Sequence, residues 1–157
     1  ASQHDYGQGA RAGLVQLVAR ELNLPAERIE IIGPDTALTP PTGSTTASRQ
    51  TFLTGNAVLK ACRVLKEEIF HKAADILDAD PEQLELCQDR VVDTATRREV
   101  PLAKLGKRFV AKELYSAPHS APLLEGESSN YGKPGFETRP THWCYAYNTQ
   151  VAVVEVD

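Results

Sequence analysis

Cysteine is scarce in this chain and poorly placed for pairing. Cys62, Cys87 and Cys144 are odd in number, far apart and in no Cys-x-x-Cys arrangement, which argues against a disulfide framework and against zinc or iron–sulfur ligation. They read as ordinary semi-buried thiols in a reducing compartment. His4, His71, His119 and His142 show no His-x-x-x-His spacing either and read as surface or packing residues. Positive charge is not in excess: 17 basic residues face 21 acidic ones, for a net charge of -4. No broad field for a nucleic-acid backbone follows from such a balance. No stretch reaches the roughly 18 to 20 uninterrupted apolar residues that a bilayer needs. Ala1-Ser2-Gln3-His4-Asp5 lacks a signal-peptide pattern. Neither nucleic acid nor membrane is expected as a partner, and the expected compartment is the cytoplasm.

What the chain does have is a length of 157 residues with 41% hydrophobic content, enough for one soluble domain with a real core. Leu14, Val15, Leu17, Val18 and Leu22 recur at helical spacing and predict a first helix over about residues 9 to 22, ended by Leu24-Pro25. Arg28-Ile29-Glu30-Ile31-Ile32 carries three isoleucines and predicts a short buried strand closed by Gly33-Pro34. Residues 33 to 46 form a Pro, Thr and Gly-rich loop long enough to ask for a functional explanation.

From Phe52 through Leu53, Ala57, Val58, Cys62, Leu65, Ile69, Ala73, Ile76 and Leu77, helical periodicity persists for about 30 residues, with Gly55 as its weak point. A helix of that length is expected to cross a sheet and to stop at Asp80-Pro81. Leu84–Cys87 and Arg90–Asp93 around Gln88-Asp89 predict a hairpin, and Pro101 to Leu105 one helical turn. Residues 116 to 142, rich in Pro and Gly, predict an irregular segment, and Cys144 to Asp157 regains strand character. The architecture expected is α+β and two-layered, with helices packed on a mixed β-sheet. A β-rich tail that stops at its most apolar point, and a Gly-Gln-Gly turn with no strand before it, predict a single domain over 1–157 cut at both ends from a longer chain.

Two polar turns stand out, each leading into an apolar helix: Gly7-Gln8-Gly9, and Thr45-Thr46-Ala47-Ser48-Arg49-Gln50. Helix N-termini opening from such turns present uncapped N–H groups and the positive end of the dipole, so a pair of them side by side suits one anion. Glycine permits close approach of a ligand to the backbone, and Ser or Thr hydroxyls add donors without bulk. Taken singly, each motif has a plainer interpretation: a simple turn at Gly7 and Gly9, an N-cap at Ser48, an Asx turn at Asp35-Thr36. Arg49 either faces inward and adds a charge-assisted bond or faces outward onto an acidic neighbour.

Four blocks occur in order: Asp5-Tyr6-Gly7-Gln8-Gly9 before a helix containing Gln16, Asp35-Thr36 after the first strand, Thr45 to Gln50, and Gly55-Asn56-Ala57-Val58. In this the chain resembles the molybdenum-cofactor-binding region of the xanthine dehydrogenase and aldehyde oxidoreductase family, the molybdenum hydroxylases. The likeness covers Asp5 to Leu77, more weakly Tyr145 to Asp157. It implies that Tyr6, Gly7, Gln8 and Gly9 touch molybdopterin while Thr45, Thr46, Ala47, Ser48, Arg49 and Gln50 wrap its phosphate or nucleotide end. It further implies an oxidoreductase that hydroxylates a purine, N-heterocycle or aldehyde with oxygen derived from water. Its cofactor would be molybdopterin, as such or as the cytosine dinucleotide.

The implied partners are the rest of the same molybdenum subunit, iron–sulfur and flavin domains or subunits, and a small-molecule substrate; a homodimer is also compatible. The family's general base lies in a Gly-x-Gly-Glu motif that this chain lacks, since Glu125-Gly126-Glu127 does not match it. The chain alone is therefore expected to bind no cofactor and to catalyse nothing. The competing reading is a non-catalytic binding or assembly module that reuses the fold. A cleft shared by the two turns favours the first reading, and turns on opposite faces favour the second.

Overall fold

A computed structural model describes residues 4–35, 37–39, 45–46, 48–106, 108–117 and 151 of the chain. The first helix, α1, spans Ala10–Leu22 and turns Leu14 and Leu22 inward. It ends where Asn23 adopts the left-handed conformation, φ 49°, and the Leu24 amide donates back to the Ala19 carbonyl at 2.9 Å. Asn23 does more than stop the helix. Its Nδ2 donates to the Leu86 carbonyl at 2.9 Å, and its own carbonyl accepts from the Gln88 amide at 3.1 Å, so the end of α1 is clasped to the hairpin.

The long helix α2 covers Gly55–Leu77, with Cys62, Ile69, Ala73 and Leu77 in one buried stripe at helical spacing. It continues from a π-helical turn, Gln50–Thr54, whose signature is the Gly55 amide reaching the Gln50 carbonyl. Gly55 is not a weak point in context. A Cβ there would sit 3.2 Å from Leu17 Cδ1, so glycine lets α2 approach α1 closely. Glu21 of α1 then draws Arg63 to 3.5 Å and Lys66 to 3.8 Å across the pair. Helix α2 stops at Asp78, left-handed at φ 49°, before the sequence reaches Asp80-Pro81. The Asp80 carboxylate instead accepts from the Glu82 amide at 3.0 Å and starts a 3-10 turn, Pro81–Gln83.

Three short strands follow, β1 (Leu84–Cys87), β2 (Arg90–Asp93) and β3 (Glu99–Pro101), in the order β1-β2-β3. Leu86 pairs with Val91 and Val91 with Val100, so the inward residues of all three strands line up on one face. That face packs on α2, and Leu22, Ile69, Leu77, Leu84, Val91, Val100 and Leu105 form one core. Each fully buried aliphatic side chain there contributes about 1.5–3 kcal/mol of transfer free energy. The two-layer α+β arrangement stands, as do α1, the long helix, the hairpin and the helical turn at Leu102–Leu105.

Other expectations are corrected. The described sheet is antiparallel throughout rather than mixed. No strand forms over Arg28–Ile32; Ala26–Arg28 is a 3-10 turn, Ile29 beyond it is extended, and Ile32 is 56% exposed. Three isoleucines supply β-propensity, but among the described residues no strand lies alongside to make a ladder. Strand β3 carries little pattern of its own in sequence, since it is three residues long and its Glu-Val-Pro is defined by pairing with β2. Most of the segment expected to be irregular, 116 to 142, and nearly all of the expected strand over 144 to 157, lie outside the described residues. Among the described residues no helix is long and apolar enough to cross a membrane. Of the cysteines, Cys62 is buried, Cys87 exposed, and Cys144 lies outside the described residues.

Candidate functional site

The turn ahead of α1 is organised by one carboxylate. Asp5 accepts from the Gly7 amide at 2.9 Å and from the Arg11 amide at 3.0 Å, the latter one of the groups a helix entry would otherwise present to a ligand. Hydrogen bonds from the Arg11 backbone first, then from Gly7, hold the Asp5 carboxyl below its ordinary pKa. Wrapping backbone around a carboxylate this tightly puts Gly7 at φ 103° and Gly9 at φ 74°, conformations that glycine alone takes easily. Among the described residues nothing lies within 4 Å of where a Cβ would stand on either glycine, so this edge of the turn is open toward a ligand. Tyr6 is 73% exposed, with its ring stacked on that of His4 at 5.8 Å.

The second turn lies directly against the first. The His4 amide donates to Thr45 Oγ1 at 3.0 Å, and Gln8 Nε2 reaches Gln50 Oε1 at 3.4 Å. Gln8 also braces its own turn, with Oε1 accepting from the Tyr6 amide and Nε2 donating to the His4 carbonyl. Thr45, Thr46 and Ser48 are half-buried, whereas Arg49 and Gln50 are buried at 8% and 5% exposure. The Arg49 amide closes onto the Thr46 carbonyl at 3.2 Å and the Phe52 amide onto the Ser48 carbonyl at 2.9 Å, which starts the helical path into the π-turn and α2. Asn56 Nδ2 steadies that turn by donating to the Phe52 carbonyl at 2.6 Å.

The structure therefore brings Tyr6, Gly7, Gln8 and Gly9 beside Thr45, Thr46, Ser48, Arg49 and Gln50. Ala47 lies outside the described residues. Two corrections follow. The mouth of α1 is not a fully open amide cradle, because Asp5 takes the Arg11 amide and sets an internal negative charge in front of the helix. Nor is Arg49 turned out to solvent, since it is buried at 8% exposure. The second helix entry differs, since no side chain caps it at Arg49.

Sequence reading passed over Asp5 as a working residue. Its signal was available, an acidic side chain two residues before a Gly-x-Gly turn at a helix start, which is where Asx capping operates. Asp35 forms the Asx turn of its plainer interpretation, accepting from the Ala37 amide at 2.8 Å and the Leu38 amide at 3.2 Å; Thr36 is outside the described residues. Among the described residues no group of three or more His, Cys, Asp or Glu is placed to hold a metal ion. A surface recess at the far end of α2, lined by Glu68, His71, Asp75 and Asp78, shares no residue with the two turns.

Comparison with known proteins identifies the family. The chain is 35% identical over 99 residues to the 6-hydroxypseudooxynicotine dehydrogenase complex subunit gamma of Paenarthrobacter nicotinovorans, covering 63% of this chain and 12% of that protein. It is 32% identical over 126 residues to a putative xanthine dehydrogenase molybdenum-binding subunit of Escherichia coli K12, covering 80% of this chain and 16% of that one. Among solved structures, carbon monoxide dehydrogenase from Oligotropha carboxidovorans superposes with a TM-score of 0.63 at 25% identity, over 74% of this chain and 16% of that chain. The chain thus spans under a fifth of the length of these relatives. Residues 1–157 match the family described as the molybdopterin cofactor-binding domain, and the chain belongs to that family.

Proposed function

We propose that this chain is part of the molybdopterin-binding subunit of a molybdenum hydroxylase of the xanthine dehydrogenase or aldehyde oxidoreductase type. The observation that carries the reading is the meeting of two turns some forty residues apart in sequence, through His4 with Thr45 and Gln8 with Gln50. The residues fit the group. Gly7 and Gly9 leave open space where side chains would stand, so a flat ring system meets backbone rather than Cβ atoms. Thr45, Thr46 and Ser48 offer hydroxyls, and Gln8 and Gln50 offer carboxamides that both give and accept hydrogen bonds. Buried Arg49 supplies a fixed positive charge for a phosphate.

In this reading Tyr6, Gly7, Gln8 and Gly9 border the pterin. Thr45, Thr46, Ala47, Ser48, Arg49 and Gln50 border the phosphate or nucleotide end, whether the cofactor is simple molybdopterin or its cytosine dinucleotide. When bound, the cofactor supplies the two-electron oxidation that hydroxylates a carbon with oxygen from water. The chain's own contribution is to bind, orient and screen one side of that group; the general base comes from elsewhere in the complete subunit. The substrate class is a purine, N-heterocycle or aldehyde, and the partners are the rest of the subunit together with iron–sulfur and flavin units. Free thiols at Cys62 and Cys87 suit a reducing cytoplasm.

The test uses the complete subunit. Gly9→Val places a β-branched side chain at φ 74°, a conformation costing about 1–2 kcal/mol even before any clash with a ligand. Molybdenum measured by mass spectrometry in the purified variant is expected to fall about tenfold, and hydroxylase activity with it. Full metal content and activity in both Gly9→Val and Gln50→Ala overturn the reading.

A further inference from the structure

We infer that Asp5 is the positioning residue of the cofactor-facing turn: an internal anion that sets the shape of Gly7–Gly9 without touching the ligand. The inference rests on the function proposed above and names a residue outside the set assigned to the cofactor. Asp5 is half-buried under its own turn, and its two carboxylate oxygens are divided between two jobs. Oδ1 takes the Gly7 amide at 2.9 Å, which fixes the first left-handed glycine. Oδ2 takes the Arg11 amide at 3.0 Å, which ties the same turn to the first residues of α1. Gly9, between those two anchors, is held at φ 74° by both.

The hold extends beyond the turn in two directions. His4, the residue next to Asp5, carries the amide that meets Thr45, so the second turn is registered against the first from the same point. Arg11, whose amide Asp5 accepts, packs its guanidinium over Gly33, where a Cβ would stand 1.6 Å from Nη2. Asp5 thus lies where three connections begin, to α1, to the 45–50 turn and to the Gly33 loop. A carboxylate is suited to this place because it accepts from several N–H groups at once and favours the positive end of the helix dipole. It also keeps a second anion away from α1, which directs a phosphate to the Arg49 side.

The experiment compares Asp5→Ala, Asp5→Asn and Gly9→Val in the complete subunit, with two readouts. Hydrogen–deuterium exchange of the peptide covering residues 4–12 is followed on cofactor-free protein, and molybdenum content on protein as purified. Asp5→Ala removes both charged acceptors and is expected to speed exchange about tenfold and to lower molybdenum content about fivefold or more. Asp5→Asn keeps one acceptor at Oδ1 and is expected to fall between Asp5→Ala and wild type in both readouts, a graded rescue that guards against simple misfolding. Wild-type molybdenum content in Asp5→Ala, alongside an empty Gly9→Val, overturns the role of Asp5 and leaves the cofactor surface standing. Wild-type content in all three variants overturns the role of Asp5, and wild-type content in Gln50→Ala as well overturns both.

Discussion

Single residues decide the conformation of this chain at a few points where the backbone turns left-handed. Asn23 is one: at φ 49° it ends α1, and its side chain and carbonyl both reach the hairpin. Asn23→Gly keeps the left-handed turn but loses the 2.9 Å bond to Leu86, while Asn23→Ala loses the bond and adds backbone strain. Urea denaturation is expected to show Asn23→Gly less stable by about 1 kcal/mol and Asn23→Ala by about 2 kcal/mol. Equal losses in the two variants contradict a conformational role for the position.

Asp93 supports a pH prediction. Its carboxyl is held below its ordinary pKa, first by the Thr96 hydroxyl and then by the Ala95 amide at 2.9 Å. A depressed carboxyl stabilises the fold fully above its unfolded pKa of about 3.9 and loses that contribution as pH falls through the lower native value. The urea midpoint is expected to drop as the pH is taken below about 4, and to drop less steeply in Thr96→Val, which begins from a lower plateau. Parallel pH profiles for the two proteins contradict this.

Elements were legible in proportion to how local their causes are. Helix α2 was readable because Cys62, Ile69, Ala73 and Leu77 repeat a pattern fixed by helix geometry alone. The hairpin was readable because Leu84, Leu86 and Val91 alternate around a two-residue turn, with Gln88 left-handed at φ 56°. The 28–32 segment misled because β-propensity speaks to a half-buried pleated surface, and whether a partner strand adjoins is a tertiary fact. Strand β3 was missed for the converse reason, since pairing with β2 creates it.

For the site, residue types and order were legible, but not the occupancy of the Arg11 amide by Asp5 or the burial of Arg49. Both depend on where one short side chain swings and on how the 45–50 turn packs. At this scale α2 offers a direct check on packing: Ala73 is fully buried against the sheet. Ala73→Leu is expected to lower stability by about 1–3 kcal/mol, measured by chemical denaturation, through overpacking. A neutral result contradicts close contact of the two layers.

At the scale of the whole molecule, the described residues form a small two-layer core, α2 over a three-stranded sheet, with the two polar turns gathered where α1 and the π-turn begin. A packed core below and hydrogen-bonded polar turns above is an arrangement suited to holding a large, polar cofactor. Because the chain spans under a fifth of its relatives, the isolated 157-residue piece is expected to reduce no electron-acceptor dye with purine, N-heterocycle or aldehyde substrates. Dye reduction by the isolated piece above the buffer background contradicts the division of labour proposed here.

The most direct test of the cofactor surface is a crystal structure of the complete, metal-loaded subunit. The expected result is one molybdopterin within hydrogen-bonding distance, about 3.2 Å or less, of both the Gly7–Gly9 turn and the Thr45–Gln50 turn, with Asp5 still bonded to Gly7 and Arg11. A cofactor that contacts neither turn, or only one of them, contradicts the account.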